Sequence, residues 1–123
     1  MAKKKILVIE DEKPLLNALS AKIQTEGFEV LEAENGEDGL KLALKKHPDL
    51  ILLDIILPKM DGITVLENLR ENAWGKTVQV IILSNLSDWN NTSAAVNLNV
   101  RDYLVKSDWQ IKDVIKKVKS KLK

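Results

Sequence analysis

Two short runs of purely apolar residues constrain the fold of this chain more than any other feature of the sequence. Residues 6–9 (Ile-Leu-Val-Ile) and 50–53 (Leu-Ile-Leu-Leu) are aliphatic throughout. Strands with one face in solvent alternate apolar and polar residues, whereas strands buried on both faces are apolar at every position. A third run, residues 78–83, is interrupted only by Gln79. The sequence therefore predicts a parallel sheet with helices packed on both of its faces.

Amphipathic helical stretches separate these strands. The first helix begins near Pro14, which is tolerated in a first turn because the N–H it lacks would have no partner there, and Gly27 is its predicted C-terminal cap. The second strand, Glu29–Ala33, alternates in the way typical of an edge strand. Asn35 is the predicted N-cap of the second helix, and Pro48 follows the end of that helix.

The second half of the chain continues the same alternation. A third helix is predicted around Leu66, and Asp102–Val105 is the predicted fifth strand. A fourth helix, at about 88–97, carries a weak signal because its asparagines, threonine and serine compete for backbone hydrogen bonds. The last helix has an apolar stripe that we expect in the core: Ile111, Val114, Ile115, Val118 and Leu122. This order predicts an α/β fold, a doubly wound five-stranded parallel sheet flanked by five helices.

Composition narrows the class of protein. The 123 residues fit one domain, 1–123, and 19 Lys and Arg against 18 Asp and Glu argue against a dedicated nucleic-acid binder. The absence of cysteine excludes disulfides and thiolate chemistry. No apolar run approaches the roughly 20 residues of a membrane helix, and the basic start lacks the pattern of a signal peptide. We therefore expect a cytoplasmic protein without direct contact to membrane or nucleic acid.

Polar side chains stand where the predicted strands end. Glu10 and Asp11 follow the first strand, Asp54 ends the third, Ser84 follows the fourth and Lys106 follows the fifth. Because ligands of such folds bind beyond the carboxyl ends of the strands, we expect these residues on one rim of the sheet. Crowded carboxylates repel unless a cation lies among them, and oxygen ligands favour Mg²⁺. A lysine and a hydroxyl beside them could hold phosphoryl oxygens, so the pattern predicts a metal-bound phosphoryl acceptor.

Each of these residues alone has an ordinary explanation. Asp11 could simply cap the first helix, Ser84 could be a turn residue, and Lys106 could be a solvated surface lysine. Asp54 is harder to dismiss, because a charge that directly ends an apolar strand needs a partner. Their joint placement, at four strand ends, favours a functional site.

Four segments of the chain resemble the signature blocks of response-regulator receiver domains. These segments are residues 6–12, 49–62, 80–84 and 102–106, and in this order they cover essentially the whole chain. The second segment is the most specific, since Asp54 is followed four residues later by proline and then by Met-Asp-Gly. The resemblance implies a flavodoxin-like sheet of strand order 2-1-3-4-5 and a phosphoacceptor switch of two-component signalling.

The resemblance also implies roles for the acidic residues. Asp54 would take a phosphoryl group from a phosphohistidine on a sensor histidine kinase or phosphotransfer protein. Asp11 and Asp54, with the backbone carbonyl of Ile56, would bind Mg²⁺ directly, and Glu10 would act on the metal through water. The protein would then be a phosphoryl acceptor rather than an enzyme, although it could catalyse its own phosphorylation and dephosphorylation.

The remaining implied roles concern the response to phosphorylation. Lys106 would pair with one phosphoryl oxygen, and Ser84 would donate a hydrogen bond to another. Tyr103 matches the aromatic switch of the family, although it could equally be a half-buried strand aromatic. The surface of the predicted fourth helix, the fifth strand and the last helix would bind a downstream protein partner. Trp89 and Trp109 are expected near that surface.

Two departures from the family pattern keep an alternative function open. Ser107 stands where proline is typical, and Asn85 replaces a small residue directly after Ser84. Both changes are compatible with a receiver-like interaction module that is not phosphorylated. The chain ends with the last helix, so we expect either a protein that acts alone or a domain of a longer regulator.

Two enzyme or binding classes fit the sequence less well. A phosphatase of the haloacid dehalogenase type would have a second aspartate two residues after Asp54, where this chain has Ile56. A flavodoxin-type nucleotide or flavin binder would have a Gly- or Ser-rich phosphate loop after the first strand. Residues 10–12 are instead Glu-Asp-Glu, which would repel phosphate in the absence of a metal.

Overall fold

A computed structural model describes residues 3–84, 100, 102–105 and 110–122. Within these residues the five predicted strands and four of the five predicted helices form, and the helix predicted at about 88–97 lies outside them. The elements in chain order are β1 (Lys5–Ile9), α1 (Lys13–Thr25), β2 (Glu29–Ala33), α2 (Gly36–Lys46), β3 (Leu50–Asp54), α3 (Gly62–Glu71), β4 (Gln79–Ser84), β5 (Asp102–Val105) and α4 (Ile111–Lys121).

The strands form one parallel sheet in the order β2-β1-β3-β4-β5. This arrangement confirms the predicted α/β class and the implied strand order 2-1-3-4-5. Among the described strands, β2 lies at an edge and pairs only with β1, as its alternating pattern predicted. The register pairs Ile9 with Leu53 and Asp54 with Leu83, so the ends of β1, β3 and β4 lie side by side.

Two apolar clusters, one on each face of the sheet, form the core. Leu7 and Ile9 point into the cluster under α2 and α3, whereas Ile6 and Val8 point into the cluster under α1 and α4. Residues 6–9 and 50–53 have no exposed surface at all. Their continuous apolar pattern was therefore correctly interpreted as burial on both faces. The predicted stripe of the last helix also packs in the core, with Val118 fully buried.

Local signals set several helix ends where the sequence predicted them. The side chain of Asn35 caps α2 by accepting a hydrogen bond from the Asp38 N–H at 2.8 Å. Gly27 follows the end of α1 with φ +94°, a left-handed conformation that glycine adopts without steric cost. The suggestion that Asp11 caps α1 is wrong, because the N-cap position belongs to Glu12. Among the described residues, no helix is long and apolar enough to cross a membrane.

Candidate functional site

Three carboxylates converge at the rim of the sheet where the strands end. β1 leads directly into Glu10 and Asp11, and Asp54 is the last residue of the neighbouring strand β3. One carboxylate oxygen from each of the three residues lies within 4.8 Å of those of the other two. The structure thus brings together three of the five residues that the sequence placed at this rim.

Burial differs sharply among the three carboxylates. Glu10 has no exposed surface and Asp54 is 4% exposed, whereas Asp11 is exposed to solvent. A buried carboxylate loses hydration, and a second carboxylate beside it adds repulsion. A cation that enters from the Asp11 side would relieve both effects. The arrangement is therefore suited to binding a positive charge.

Backbone N–H groups orient the two buried carboxylates. The Ile56 N–H donates to Asp54 Oδ1 at 3.2 Å, and the Glu12 N–H donates to Glu10 Oε2 at 3.1 Å. The backbone of Glu10 is itself held by its N–H, which donates to the carbonyl of Ala33 at 3.0 Å. Both side chains are therefore tied to the two turns that leave β1 and β3.

The start of α3 packs directly against the backbone of Asp54. A Cβ atom at Gly62 would lie 2.3 Å from the Asp54 carbonyl oxygen and 2.7 Å from the Ile55 Cα, so no side chain fits there. The Gly62 N–H donates to the Ile55 carbonyl at 2.8 Å. Sequence analysis included this glycine in a motif but missed its steric role. Its only local signal was its place after Asp61, which caps α3 by accepting a hydrogen bond from the Thr64 N–H.

The other predicted site residues are only partly described. Ser84 is the last residue of β4, and Tyr103 pairs with Ile82 in β5, but the side chains of Ser84 and Tyr103 are not described. Their predicted roles are therefore not tested. Five residues discussed above lie outside the described residues altogether: Asn85, Trp89, Lys106, Ser107 and Trp109.

The donor set of the cluster agrees with a hard divalent cation. Its ligand atoms are carboxylate oxygens, with no histidine or cysteine in the group. Such oxygens suit Mg²⁺ or Ca²⁺, whereas zinc sites usually include nitrogen or sulfur ligands. Ile56 lies in the turn after Asp54, but whether its carbonyl takes part remains a prediction. The residues present thus fit a magnesium ion.

Comparison with known proteins identifies relatives over nearly all of the chain. A family model described as the response regulator receiver domain matches residues 6–119. The chain is 37% identical over 106 residues to a probable transcriptional regulator, ycf27, of Porphyridium aerugineum, covering 86% of this chain and 43% of that protein. It is 35% identical over 103 residues to the alkaline phosphatase synthesis transcriptional regulatory protein PhoP of Bacillus subtilis, covering 84% and 42%.

A solved structure shows the same architecture. The CheY-like response regulator receiver domain protein from Methanospirillum hungatei superposes with a TM-score of 0.90 at 26% identity, covering 98% of this chain and 94% of that one. The two curated relatives are longer, and this chain spans less than half of either. The likeness to these relatives therefore concerns one part of each protein.

Proposed function

Because the chain belongs to the response regulator receiver domain family, we propose that it is a signalling switch that accepts a phosphoryl group on Asp54. The proposed donor is a phosphohistidine on a sensor histidine kinase or phosphotransfer protein. One observation carries this proposal: Asp54 ends a fully buried strand, is 4% exposed, and lies in a cluster with Glu10 and Asp11. Three acidic side chains this close together favour a bound cation, and a carboxylate beside a divalent cation is suited to accept a phosphoryl group.

The proposed reaction is a transfer between two nucleophiles. A carboxylate oxygen of Asp54 forms a bond to phosphorus as the phosphorus–nitrogen bond of the phosphohistidine breaks. The electron pair of that bond stays on the ring nitrogen, and a proton taken up by the ring from solvent makes the leaving group a neutral imidazole, so the products are an acyl phosphate and histidine. Apart from the bond formed by Asp54, the protein contributes to such a transfer chiefly by positioning and by electrostatic stabilisation. The Ile56 N–H, which holds Asp54 Oδ1, and the Gly62 contact beneath Asp54 supply that positioning.

Magnesium is the proposed cofactor of this transfer. Asp11, Asp54 and the backbone carbonyl of Ile56 would hold it, and Glu10 would act through a bound water. When bound, the metal neutralises charge that develops on the phosphoryl oxygens. The support for this assignment is the all-oxygen cluster and the solvent exposure of Asp11, which leaves the cluster open on one side.

The remaining assignments extend the proposal to the output of the switch. Lys106 and Ser84 would bind phosphoryl oxygens, and Tyr103 would turn inward as Ser84 moves. A downstream protein would then bind the surface formed by β5, by α4 and by the helix predicted at about 88–97. The expected absence of nucleic-acid contact stays a prediction, because the relatives are named transcriptional regulators and extend well beyond the matched part.

The direct test is covalent labelling by a small phosphodonor. The protein is incubated with acetyl phosphate and Mg²⁺, and its intact mass is compared with those of Asp54→Asn and Asp61→Asn. Asp61 is a matched control, because it is an acid near the same rim whose side chain caps α3. We expect the parent and Asp61→Asn to gain one phosphoryl mass, Asp54→Asn to gain none, and chelation of the metal to abolish the gain.

A negative result would favour the alternative function. If the parent gains no mass and calorimetry detects no binding of Mg²⁺, the cluster is not a phosphoacceptor site. The chain would then be better described as a receiver-like interaction module. Labelling that persists in Asp54→Asn would instead refute the choice of acceptor.

A further inference from the structure

The loop that leaves Asp54 contains a strained turn. Lys59 has φ +67°, a left-handed conformation that costs energy for a residue with a side chain. The Met60 N–H donates to the carbonyl of Pro58 at 2.7 Å across this turn. Such a conformation persists only where the surrounding structure fixes it. Contacts from neighbouring segments must therefore hold Lys59 in this conformation.

The N-terminus of α2 packs against this turn from outside. The Gly36 N–H donates to the same Pro58 carbonyl at 3.3 Å. A Cβ atom at Gly36 would lie 1.7 Å from the Met60 carbonyl oxygen, 2.7 Å from the Met60 carbonyl carbon and 3.0 Å from the Met60 Cβ. Gly36 is buried, and its φ does not lie in the left-handed region. Its lack of a side chain therefore serves the close approach of the two segments.

We propose that Gly36 is a positioning residue that clamps the loop after Asp54, an inference that rests on the proposed phosphoacceptor function. The loop is held at two places, at Pro58 and Met60 by Gly36 and at Asp54 by Gly62. Ile56 lies between these contacts, and its N–H holds Asp54 Oδ1 while its carbonyl is a proposed metal ligand. A displaced loop would therefore move a hydrogen-bond donor and a ligand together.

The test compares two glycines that are equally intolerant of a side chain. In Gly36→Ala the new Cβ meets the Met60 carbonyl, whereas in Gly75→Ala it would meet the Leu69 carbonyl oxygen at 2.1 Å, in the turn that precedes β4 and far from Asp54. We expect both variants to unfold more easily. We expect only Gly36→Ala to weaken Mg²⁺ binding, by about 10-fold or more in titration calorimetry, because displaced supporting groups commonly cost that much.

A second measurement needs neither metal nor phosphoryl group. Amide hydrogen exchange in the metal-free protein reports the N–H groups of Ile56, Met60 and Gly62, which are hydrogen-bonded in this loop. Gly36→Ala should speed their exchange several-fold beyond its effect on the rest of the fold, and Gly75→Ala should not. A parent that binds no Mg²⁺ and gains no phosphoryl mass would refute the proposed function, while the exchange data would still decide whether Gly36 holds the loop.

Two outcomes would overturn the role of Gly36. One is a folded Gly36→Ala variant with the loop exchange and Mg²⁺ affinity of the parent. The other is an equal loss of Mg²⁺ affinity in Gly75→Ala, which would indicate general destabilisation. If Gly36→Ala does not fold, Asn35→Ala loosens the start of α2 without adding atoms, since Asn35 caps that helix. It should then speed loop exchange in the same direction by a smaller factor, and unchanged exchange would refute the proposal.

Discussion

The two rims of the sheet use charge in opposite ways. At the rim where β1 and β3 end, Glu10, Asp11 and Asp54 bring three like charges within 4.8 Å of one another. At the rim where the strands begin, charged groups meet partners within the protein. Arg70 Nη1 donates to the carbonyl oxygens of Gly75 at 2.7 Å and Val78 at 3.0 Å.

Other groups at the rim where the strands begin also have partners within the protein. Asp49 Oδ2 accepts a hydrogen bond from the Lys5 N–H at 2.7 Å, and the Asp49 N–H donates to the Lys5 carbonyl at 2.8 Å. His47, in a left-handed conformation at the end of α2, stacks on Trp74 with ring centroids 4.5 Å apart. The comparison indicates that contacts at one rim hold the fold together, whereas the other rim gathers acidic side chains in an arrangement that suits a cation.

Removal of Arg70 should have the largest effect on stability. Arg70→Ala leaves two carbonyl groups without their charged donor, and we expect the free energy of unfolding to fall by about 2–3 kcal/mol. Partial burial lowers the pKa of this guanidinium, which still remains charged near neutral pH. Urea denaturation measures the loss. Acetyl phosphate labelling should stay at the parent level, and a variant that folds but is not labelled would contradict the separation of the two rims.

The substitution Asp54→Asn should change stability in opposite directions with and without metal. In chelator we expect the free energy of unfolding to rise by about 1 kcal/mol, because one of three crowded charges is gone. In excess Mg²⁺ the parent should become the more stable protein, since a ligand at about 100 times its Kd stabilises by about 2.7 kcal/mol. Paired urea titrations would show the change of sign. The same sign in both conditions would mean that the cluster does not bind the metal.

The smallest effect should come from Glu26, at the end of α1 near the starting rim. A hydrogen bond from Lys119 lowers the pKa of this carboxyl, and the positive charges of Lys119 and Lys22 add to the shift, while partial desolvation opposes it. Because the folded pKa lies below the unfolded one, the stabilisation is present at neutral pH and is lost as the pH falls below about 4.5.

The matching variant is Glu26→Gln. Its melting temperature should be slightly below that of the parent at pH 7 in low salt, and the difference should shrink at acid pH and in high salt. Thermal scans over pH and salt measure this. A difference that persists at pH 3 would assign the effect to packing of the side chain rather than to its charge.

The sequence predicted most of the fold because the decisive signals were local. Four aliphatic residues in a row are enough to indicate a strand buried on both faces, and Asn35 and Gly27 act on the helix ends beside them. The convergence of Glu10, Asp11 and Asp54 followed from the rule that parallel strands end at one rim. Strand order was different, since it came from the resemblance and not from any pattern in the residues.

The contacts that sequence analysis missed join a helix to a segment outside that helix. Nothing near Gly36 indicates that it touches Met60, and nothing near Arg70 indicates two carbonyl partners. Such contacts depend on how α2 and α3 pack on the sheet, which helix and strand periodicity do not determine. The sequence also did not fix the first residue of α1, whose N-cap position belongs to Glu12 and not to Asp11.

The stacked ring pair at the starting rim has a consequence for optical measurements. The chain has three tryptophans, of which the structure describes Trp74, and its indole lies parallel to the His47 imidazole with 7° between the ring planes. Its emission should report the environment of this pair, remote from Asp54. A change of fluorescence on phosphorylation would then originate from Trp89 or Trp109, above a constant background from Trp74. The substitution Trp74→Phe would remove that background and leave the signal of the switch.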